Sequence, residues 1–437
     1  MPKSSFLKAD TGMTLSKPSA AQNLPWANGR STDTQTITAT TSAGIPNLSP
    51  TVNSGSNGLN AKLTVFASGP LVVGKSVTFN GGTGGTANQT GLAITGGSGT
   101  LGKNITKLAL SKNYQVNILT RNKKLTSNKN DINYYYWNPS LKIIDDKCFN
   151  GVDSVINLSG YNVFCYWTDK NKSKILESRI ESTSFILSQI KERNIKIKSF
   201  VSASGIAAYR DSLSVVSTEE NGVDIPSSFI NQVVIKWESK VKEYEKIHPK
   251  ISFSILRVGL VLSNYGGLFK ISKNLSKLFL LSPLGTGNQW QSWIHIDDVS
   301  IIFLRSIENN EKGIINLVSP NPVIQKDLLR IIALNNNSNI IFPNIPTFIV
   351  KTFFGEMSEL VLSSQKVKSQ RLNNYFFKFS KLDSAIKDLS SKIWHSDIKS
   401  IWQKNCSIVC KNIWQKRPPI IKSLQKSQRR NLLQLKN

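Results

Sequence analysis

At 437 residues and a formal net charge of +28, the chain is long enough for two or three domains with a large core. Four cysteines (Cys148, Cys165, Cys406, Cys410) exclude a disulfide-dense scaffold, and no second close pair accompanies the last two, so a reducing compartment and no metal are expected. No apolar run reaches the ~18 residues of a membrane helix, and the lysines are dispersed among Asn and Ile without a basic-aromatic motif, so a soluble protein is expected with neither a transmembrane segment nor a nucleic-acid partner.

Residues 1–90 are dominated by Thr, Ser, Gly, Asn and Ala and carry little charge, which marks a boundary. Short β-prone runs within them (Leu63-Thr64-Val65-Phe66, Leu71-Val72-Val73, Ser76-Val77-Thr78-Phe79) are broken by Gly and Pro, the pattern of a small β-hairpin or partial sandwich beside disordered stretches. Gly81-Gly82-Thr83-Gly84-Gly85 reads as a linker because no helical pattern follows it. The acid-poor, Ser/Thr-rich start leaves a plastid or other organelle as the lesser alternative to the cytoplasm, since arginine is nearly absent there.

From residue 92 the pattern alternates strand and helix. A strand over 92–95 meets a glycine loop, and Ile105, Leu108 and Ala109 recur at helical spacing before a strand over 116–119. Further strands are predicted over 152–158, 200–202 and 253–256. Between them one helix face carries Leu176, Ile180, Thr183, Leu187 and Ile190, and another carries Phe229, Val233, Trp237 and Val241. This order predicts an α/β fold, a Rossmann-type doubly wound parallel sheet over 91–320. A smaller C-terminal lobe follows over 321–388, and a basic tail over 389–437.

Gly97-Ser98-Gly99-Thr100-Leu101-Gly102, preceded by Gly96, stands between a strand and an amphipathic helix. In that setting Gly97 would allow the tight turn, Gly99 the approach of a pyrophosphate and Gly102 the packing of helix on strand, with the helix N-terminus facing the anion. An NAD site usually places an acid about 20 residues on, at the end of the second strand, to hold the ribose hydroxyls. Here that place reads Leu119-Thr120-Arg121-Asn122, and Arg121 suits a 2′-phosphate, so NADP is expected before NAD, with a solvated basic turn as the plain alternative.

Several runs are taken together: the glycine loop, Val155-Ile156-Asn157-Leu158-Ser159-Gly160, Ser178-Arg179-Ile180, Val201-Ser202-Ala203-Ser204, Trp237-Glu238, Leu256-Arg257-Val258-Gly259, and Ser292-Trp293-Ile294-His295 with Asp298. In order and spacing they resemble the atypical epimerase branch of the extended short-chain dehydrogenase/reductase superfamily, over roughly 92–385. Pro343, Pro346, Gly355-Glu356-Met357 and Gln365-Lys366-Val367 are similar to that branch's small C-terminal domain of unknown function.

The resemblance implies a nucleotide-sugar epimerase-like protein that binds its cofactor through the glycine loop and through Asn157, Leu158, Ser159 and Gly160. It also implies a small sugar-like or polyol-like substrate, and a homodimer is a further expectation. Ser204 falls at the family's substrate-holding serine. The usual Tyr-x-x-x-Lys pair is missing, because its place reads Ile230-Asn231-Gln232-Val233-Val234. Tyr209, His295 and Asp298 are the remaining proton-transfer candidates, each with core packing or helix capping as the alternative, while Arg257 reads as an ion-pair partner. An NADP(H)-dependent oxidoreductase or epimerase is the first functional expectation. The second is a non-catalytic nucleotide-binding scaffold or redox sensor, with a link of the branch to cell and plastid division. A surface or virion protein, resting on residues 1–90 alone, is the third.

Overall fold

The computed structural model describes residues 48–53, 62–67, 90–125, 132–221 and 228–391. The runs at 71–73, 76–79 and 81–85 and the tail from 392 lie outside them. Strands β1 (Leu48–Asn53) and β2 (Lys62–Ala67) pair antiparallel, with Leu48 opposite Ala67 and Asn53 opposite Lys62.

A second unit carries the long α/β succession. In chain order it contains β3 (Gly91–Thr95), α1 (Thr100–Ser111), β4 (Gln115–Thr120), β5 (Ile132–Asn138), β6 (Ile143–Ile144), β7 (Val152–Asn157) and α2 (Asp169–Glu192). There follow β8 (Ser199–Gly205), β9 (Val216–Ser217), α3 (Phe229–Ile247), β10 (Ser252–Val258), β11 (Leu260–Leu262), α4 (Gly267–Lys277), β12 (Trp290–Gln291), β13 (Trp293–His295) and α5 (Ile296–Glu308). The C-terminal part adds β14 (Gly313–Leu317), β15 (Val323–Ile324), α6 (Gln325–Leu334), α7 (Thr347–Phe354), α8 (Glu359–Leu362), β16 (Lys366–Val367) and α9 (Leu382–Ser391).

Eight strands form one sheet in the order β14-β10-β8-β7-β3-β4-β5-β6. The run from β7 through β8 and β10 to β14 is parallel, and the short β6 turns back antiparallel on β5. This is the Rossmann-like sheet that the alternating pattern predicts. Its inner strands are buried along nearly their whole length because helices cover both faces: Leu92, Ala93 and Ile94 are fully buried, as are Phe200 and Val201.

Local chemistry sets the helix starts. The Thr168 hydroxyl accepts from the Asn171 amide ahead of α2, and the Ser228 hydroxyl accepts from the Asn231 amide ahead of α3, each satisfying one orphan donor of the first turn. The buried side of α2 differs from the predicted face. Leu176 and Ile180 are only half-buried, while Ile175, Ser182, Phe185, Ile186 and Gln189 go inside with Thr183, Leu187 and Ile190. The helix packs on α3 as well as on the sheet core, so two flanks are covered where periodicity shows one. Strands β5 and β14 also went unpredicted. In β5 only Trp137 is buried, so it has little apolar contrast to read.

Candidate nucleotide-binding cleft

The glycine loop leaves the carboxyl end of β3, where ligands of open parallel sheets bind. Gly96 holds the left-handed conformation of the turn, at φ +68°, and a side chain there would meet the Leu158 carbonyl oxygen at 2.7 Å. The tight-turn role expected of Gly97 therefore belongs to Gly96. Gly97 is constrained by space instead, since a Cβ would stand 2.8 Å from the Ile118 side chain. At Gly102 a Cβ would lie 2.5 Å from the Gly97 Cα, so the first turn of α1 sits directly on the loop. The Gly99 amide donates to the Gly96 carbonyl at 3.0 Å, and Ser98 and Gly99 are exposed at the loop's crest. A glycine-lined cradle at a helix N-terminus fits a pyrophosphate.

The second wall is the run from the last residue of β7 onward. Its first residue, Asn157, is fully buried and acts as a clamp rather than as an exposed ligand: its Oδ1 accepts from the Thr95 hydroxyl at 2.7 Å, and its Nδ2 donates to the Thr183 hydroxyl at 2.8 Å. The Trp237 indole also donates to Thr183, at 2.9 Å. This chain of bonds ties β3, β7, α2 and α3 together beneath the cleft. The Leu158 amide donates to the Thr95 carbonyl at 3.2 Å, holding 158–160 beside the glycine loop, with Ser159 buried and Gly160 exposed. Arg121, just past the end of β4, is exposed, and the neighbouring Asn122 amide donates to Thr120 Oγ1.

The structure brings two of the catalytic candidates, Ser204 and Tyr209, into one buried network. Ser204, at the carboxyl end of β8, donates to Glu238 Oε1 on α3 at 2.7 Å. Arg257 on β10 grips the same carboxylate with two 2.8 Å bonds and lies 4.8 Å from the Tyr209 ring centroid. Tyr209 in turn donates to Asn316 Oδ1 on β14 at 2.9 Å. Burial alone would pull the Arg257 pKa down, but Glu238 outweighs it and holds the pKa above its ordinary value. Burial raises the Tyr209 pKa against the opposing charge of Arg257. The ion-pair reading of Arg257 is what the structure shows. Glu238 and Thr183 are the network members that sequence reasoning passed over. Only the Trp237-Glu238 run, one turn beyond the vacant Tyr and Lys places, pointed to Glu238.

His295 and Asp298 lie elsewhere, at the start of α5. The His295 Nδ1 accepts from the Asp297 amide at 3.1 Å as the helix N-cap, its ring stands 4.0 Å from that of Phe379, and its Nε2 lies 3.3 Å from Asp388 Oδ2. The Asp298 carboxylate accepts from the Lys378 and Phe379 amides at 2.7 and 3.0 Å, and burial raises its pKa against those two bonds. Both residues thus fasten α5 to the C-terminal segment. At the usual Tyr and Lys places, Ile230 packs in an apolar cluster with Trp167, Met357 and Leu360, and Val234 is buried 3.6 Å from where a Gly205 side chain would begin.

Residues 92–317 match the NAD dependent epimerase/dehydratase family, and 345–389 match a domain of unknown function, DUF1731. The chain belongs to the NAD dependent epimerase/dehydratase family. It is similar to Epimerase family protein SAR0825 of Staphylococcus aureus, 31% identical over 306 residues, covering 68% of this chain and 98% of that one. Epimerase family protein YfhF of Bacillus subtilis is 30% identical over 301 residues, again with 68% of this chain and 97% of the relative covered. Among solved structures, human epimerase family protein SDR39U1 with NADPH shares the fold at TM-score 0.60 and 23% identity, over 70% of this chain and all of that one. UDP-N-acetylglucosamine 4-epimerase from Bacillus cereus does so at TM-score 0.55 and 16% identity, over 69% of this chain and 99% of that one. Within this epimerase-family chain, no helix of the described residues is long and apolar enough to cross a membrane.

Proposed function

We propose that the protein is an NADP(H)-dependent oxidoreductase or epimerase acting on a small sugar-like or polyol-like substrate. The carrying observation is the glycine-lined cradle of Gly96, Gly99 and Gly102, with Arg121 at the end of β4 where an acid would repel a 2′-phosphate. NADPH in the SDR39U1 structure and a sugar nucleotide in the name of the Bacillus cereus epimerase support the cofactor and the substrate class. When bound, the dinucleotide supplies hydride exchange. Ser204 then meets the substrate from the carboxyl end of β8. Its proton is engaged by Glu238, so its lone pairs are left to accept a hydroxyl donor from the substrate.

The competing reading is a non-catalytic NADP(H)-binding scaffold or sensor, favoured by the apolar Ile230 and Val234 at the proton-transfer places. The deciding experiment incubates the protein with NADP+ and a panel of nucleotide sugars and polyols deuterated at their carbinol carbons, and follows label, cofactor redox state and sugar configuration by mass spectrometry and NMR. Label appearing in NADPH, or a new epimer that keeps its label, establishes the enzyme. Tight NADP(H) binding with neither label transfer nor a new epimer across the panel favours the scaffold.

A further inference from the structure

Arg179 on α2 carries a charge that the protein does not answer. It is half-buried, and among the described residues its guanidinium makes two hydrogen bonds, both from Nη1, to the Tyr161 carbonyl at 3.2 Å and the Ile175 carbonyl at 2.9 Å. No carboxylate pairs with it there, and Nε and Nη2 have no protein acceptor among the described residues and stay open to solvent. Its remaining neighbour is the Trp237 ring, with the guanidinium carbon 5.4 Å from the ring centroid. Burial lowers its pKa to about 10, which still leaves it a cation at neutral pH. Arg257 is the contrast, a fully buried arginine paired with a carboxylate through Nε and Nη2, although its Nη1 has no hydrogen-bond partner among the described residues. A half-buried cation that meets only carbonyl oxygens and a ring face, with two donor nitrogens left to solvent, can exchange that water for an anion and gain charge-assisted bonds.

The place of Arg179 says which anion. The guanidinium lies against Gly160, so close that a Cβ there would stand 3.0 Å from both Cζ and Nη2. Gly160 is exposed and ends the cleft wall whose Leu158 carbonyl touches Gly96 of the phosphate loop. Trp237, the ring beside the guanidinium, stands three residues beyond Val234 on α3, one helical turn from the place where this fold usually carries its lysine.

We propose that Arg179 is the counter-cation of the bound dinucleotide, donating from Nε and Nη2 over Gly160 to phosphate or ribose oxygens and supplying from α2 the charge that Val234 does not supply from α3. The proposal rests on the dinucleotide-binding reading above. It gives Gly160 a purpose: any side chain there would stand between the fork and the ligand. It also separates the two arginines of the cleft, since Arg121 would see only the 2′-phosphate that distinguishes NADP(H), whereas Arg179 would see atoms common to NADPH and NADH.

The test is fluorescence titration of the full chain with NADPH and with NADH, for the unmodified protein, Arg179→Met and Arg179→Lys, beside thermal melts without ligand. Met keeps the stem that packs on Trp237 and removes the charge. Losing one or two charge-assisted bonds should weaken both nucleotides by roughly tenfold or more. Lys should fall between, because it keeps a point charge without the fork. The ligand-free melting temperature of the Met variant should hold, since no ion pair has gone; a purely structural arginine would instead lower it and leave titrations unchanged. Met-variant affinities within twofold of the unmodified protein overturn the proposal, as does a loss confined to UDP-glucose, used as a substrate-side probe, with both dinucleotides unaffected. If the Met variant does not fold, the Lys variant decides alone, with a threefold or larger loss expected and an unchanged affinity overturning the idea. An unmodified protein that binds neither nucleotide would instead sink the dinucleotide reading itself, a result distinct from equal binding by protein and variant.

Discussion

At the scale of single residues, the cleft is defined by side chains that are missing and by charges that are paired. Arg121 carries the cofactor preference: Arg121→Asp is expected to weaken NADPH by about tenfold or more while leaving NADH unchanged or tighter, because an acid then faces the 2′-phosphate and can hold ribose hydroxyls instead. Equal NADPH and NADH constants in the unmodified protein would refute the assignment. Glu238 is a different case, since it anchors Arg257 and Ser204 together in the interior. Removing it leaves a buried guanidinium alone, so Glu238→Ala should cost about 3–5 kcal/mol of unfolding free energy in a urea titration. Glu238→Gln keeps the shape and part of the bonding and should cost less. A loss below ~1 kcal/mol for the alanine variant would mean that water or a rearranged partner takes over the guanidinium.

At the scale of elements, the start of α5 shows how a helix terminus can be turned into a joint. Its cap is His295, and its first-turn acids Asp297 and Asp298 reach Lys378 and Phe379 of the C-terminal segment. Burial pushes the Asp297 pKa up, but the Lys378 ammonium, His295 and Asn104 more than reverse this and leave it below the usual carboxylate range. A carboxylate depressed on folding contributes stability above its unfolded pKa, and that contribution disappears as pH falls through the folded value. Asp297→Asn should therefore destabilise by about 0.5–1 kcal/mol at pH 7. At a pH below its folded value the gap to the unmodified protein should close. A gap independent of pH would show that shape, not charge, matters at this position. Asp298 has the opposite sign, because burial raises its pKa, so its ionisation opposes folding at neutral pH even though its two backbone bonds are needed.

At the scale of the whole second unit, the C-terminal segment shares a core with the sheet-bearing part. Leu382, Ala385, Ile386 and Leu389 of α9 pack in one buried cluster with Leu262, Phe269 and Trp293, and the Lys273 ammonium donates to the Leu389 carbonyl at 2.7 Å. Ile386→Ala should cost about 2–5 kcal/mol and should lower a single cooperative transition. A separate early transition for the C-terminal segment, seen by calorimetry, would instead mean that it folds as its own unit.

The alternation of apolar strands with helical faces, and the glycines between β3 and α1, were legible from the chain because they are local: a buried strand is continuously apolar, and a tight turn or close approach tolerates only Gly. The same locality placed Arg121 at a strand end and Ser204 at another. It could not show that Gly96, and not Gly97, takes the left-handed conformation, since both residue types permit it and only the contact with Leu158, 62 residues away from Gly96 in sequence, decides between them. Nor could it separate Arg257, answered by Glu238 from a different element, from Arg179, answered by no carboxylate among the described residues. Charge compensation depends on which side chains meet across the packed sheet and helices, and the linear order of residues does not contain that distance.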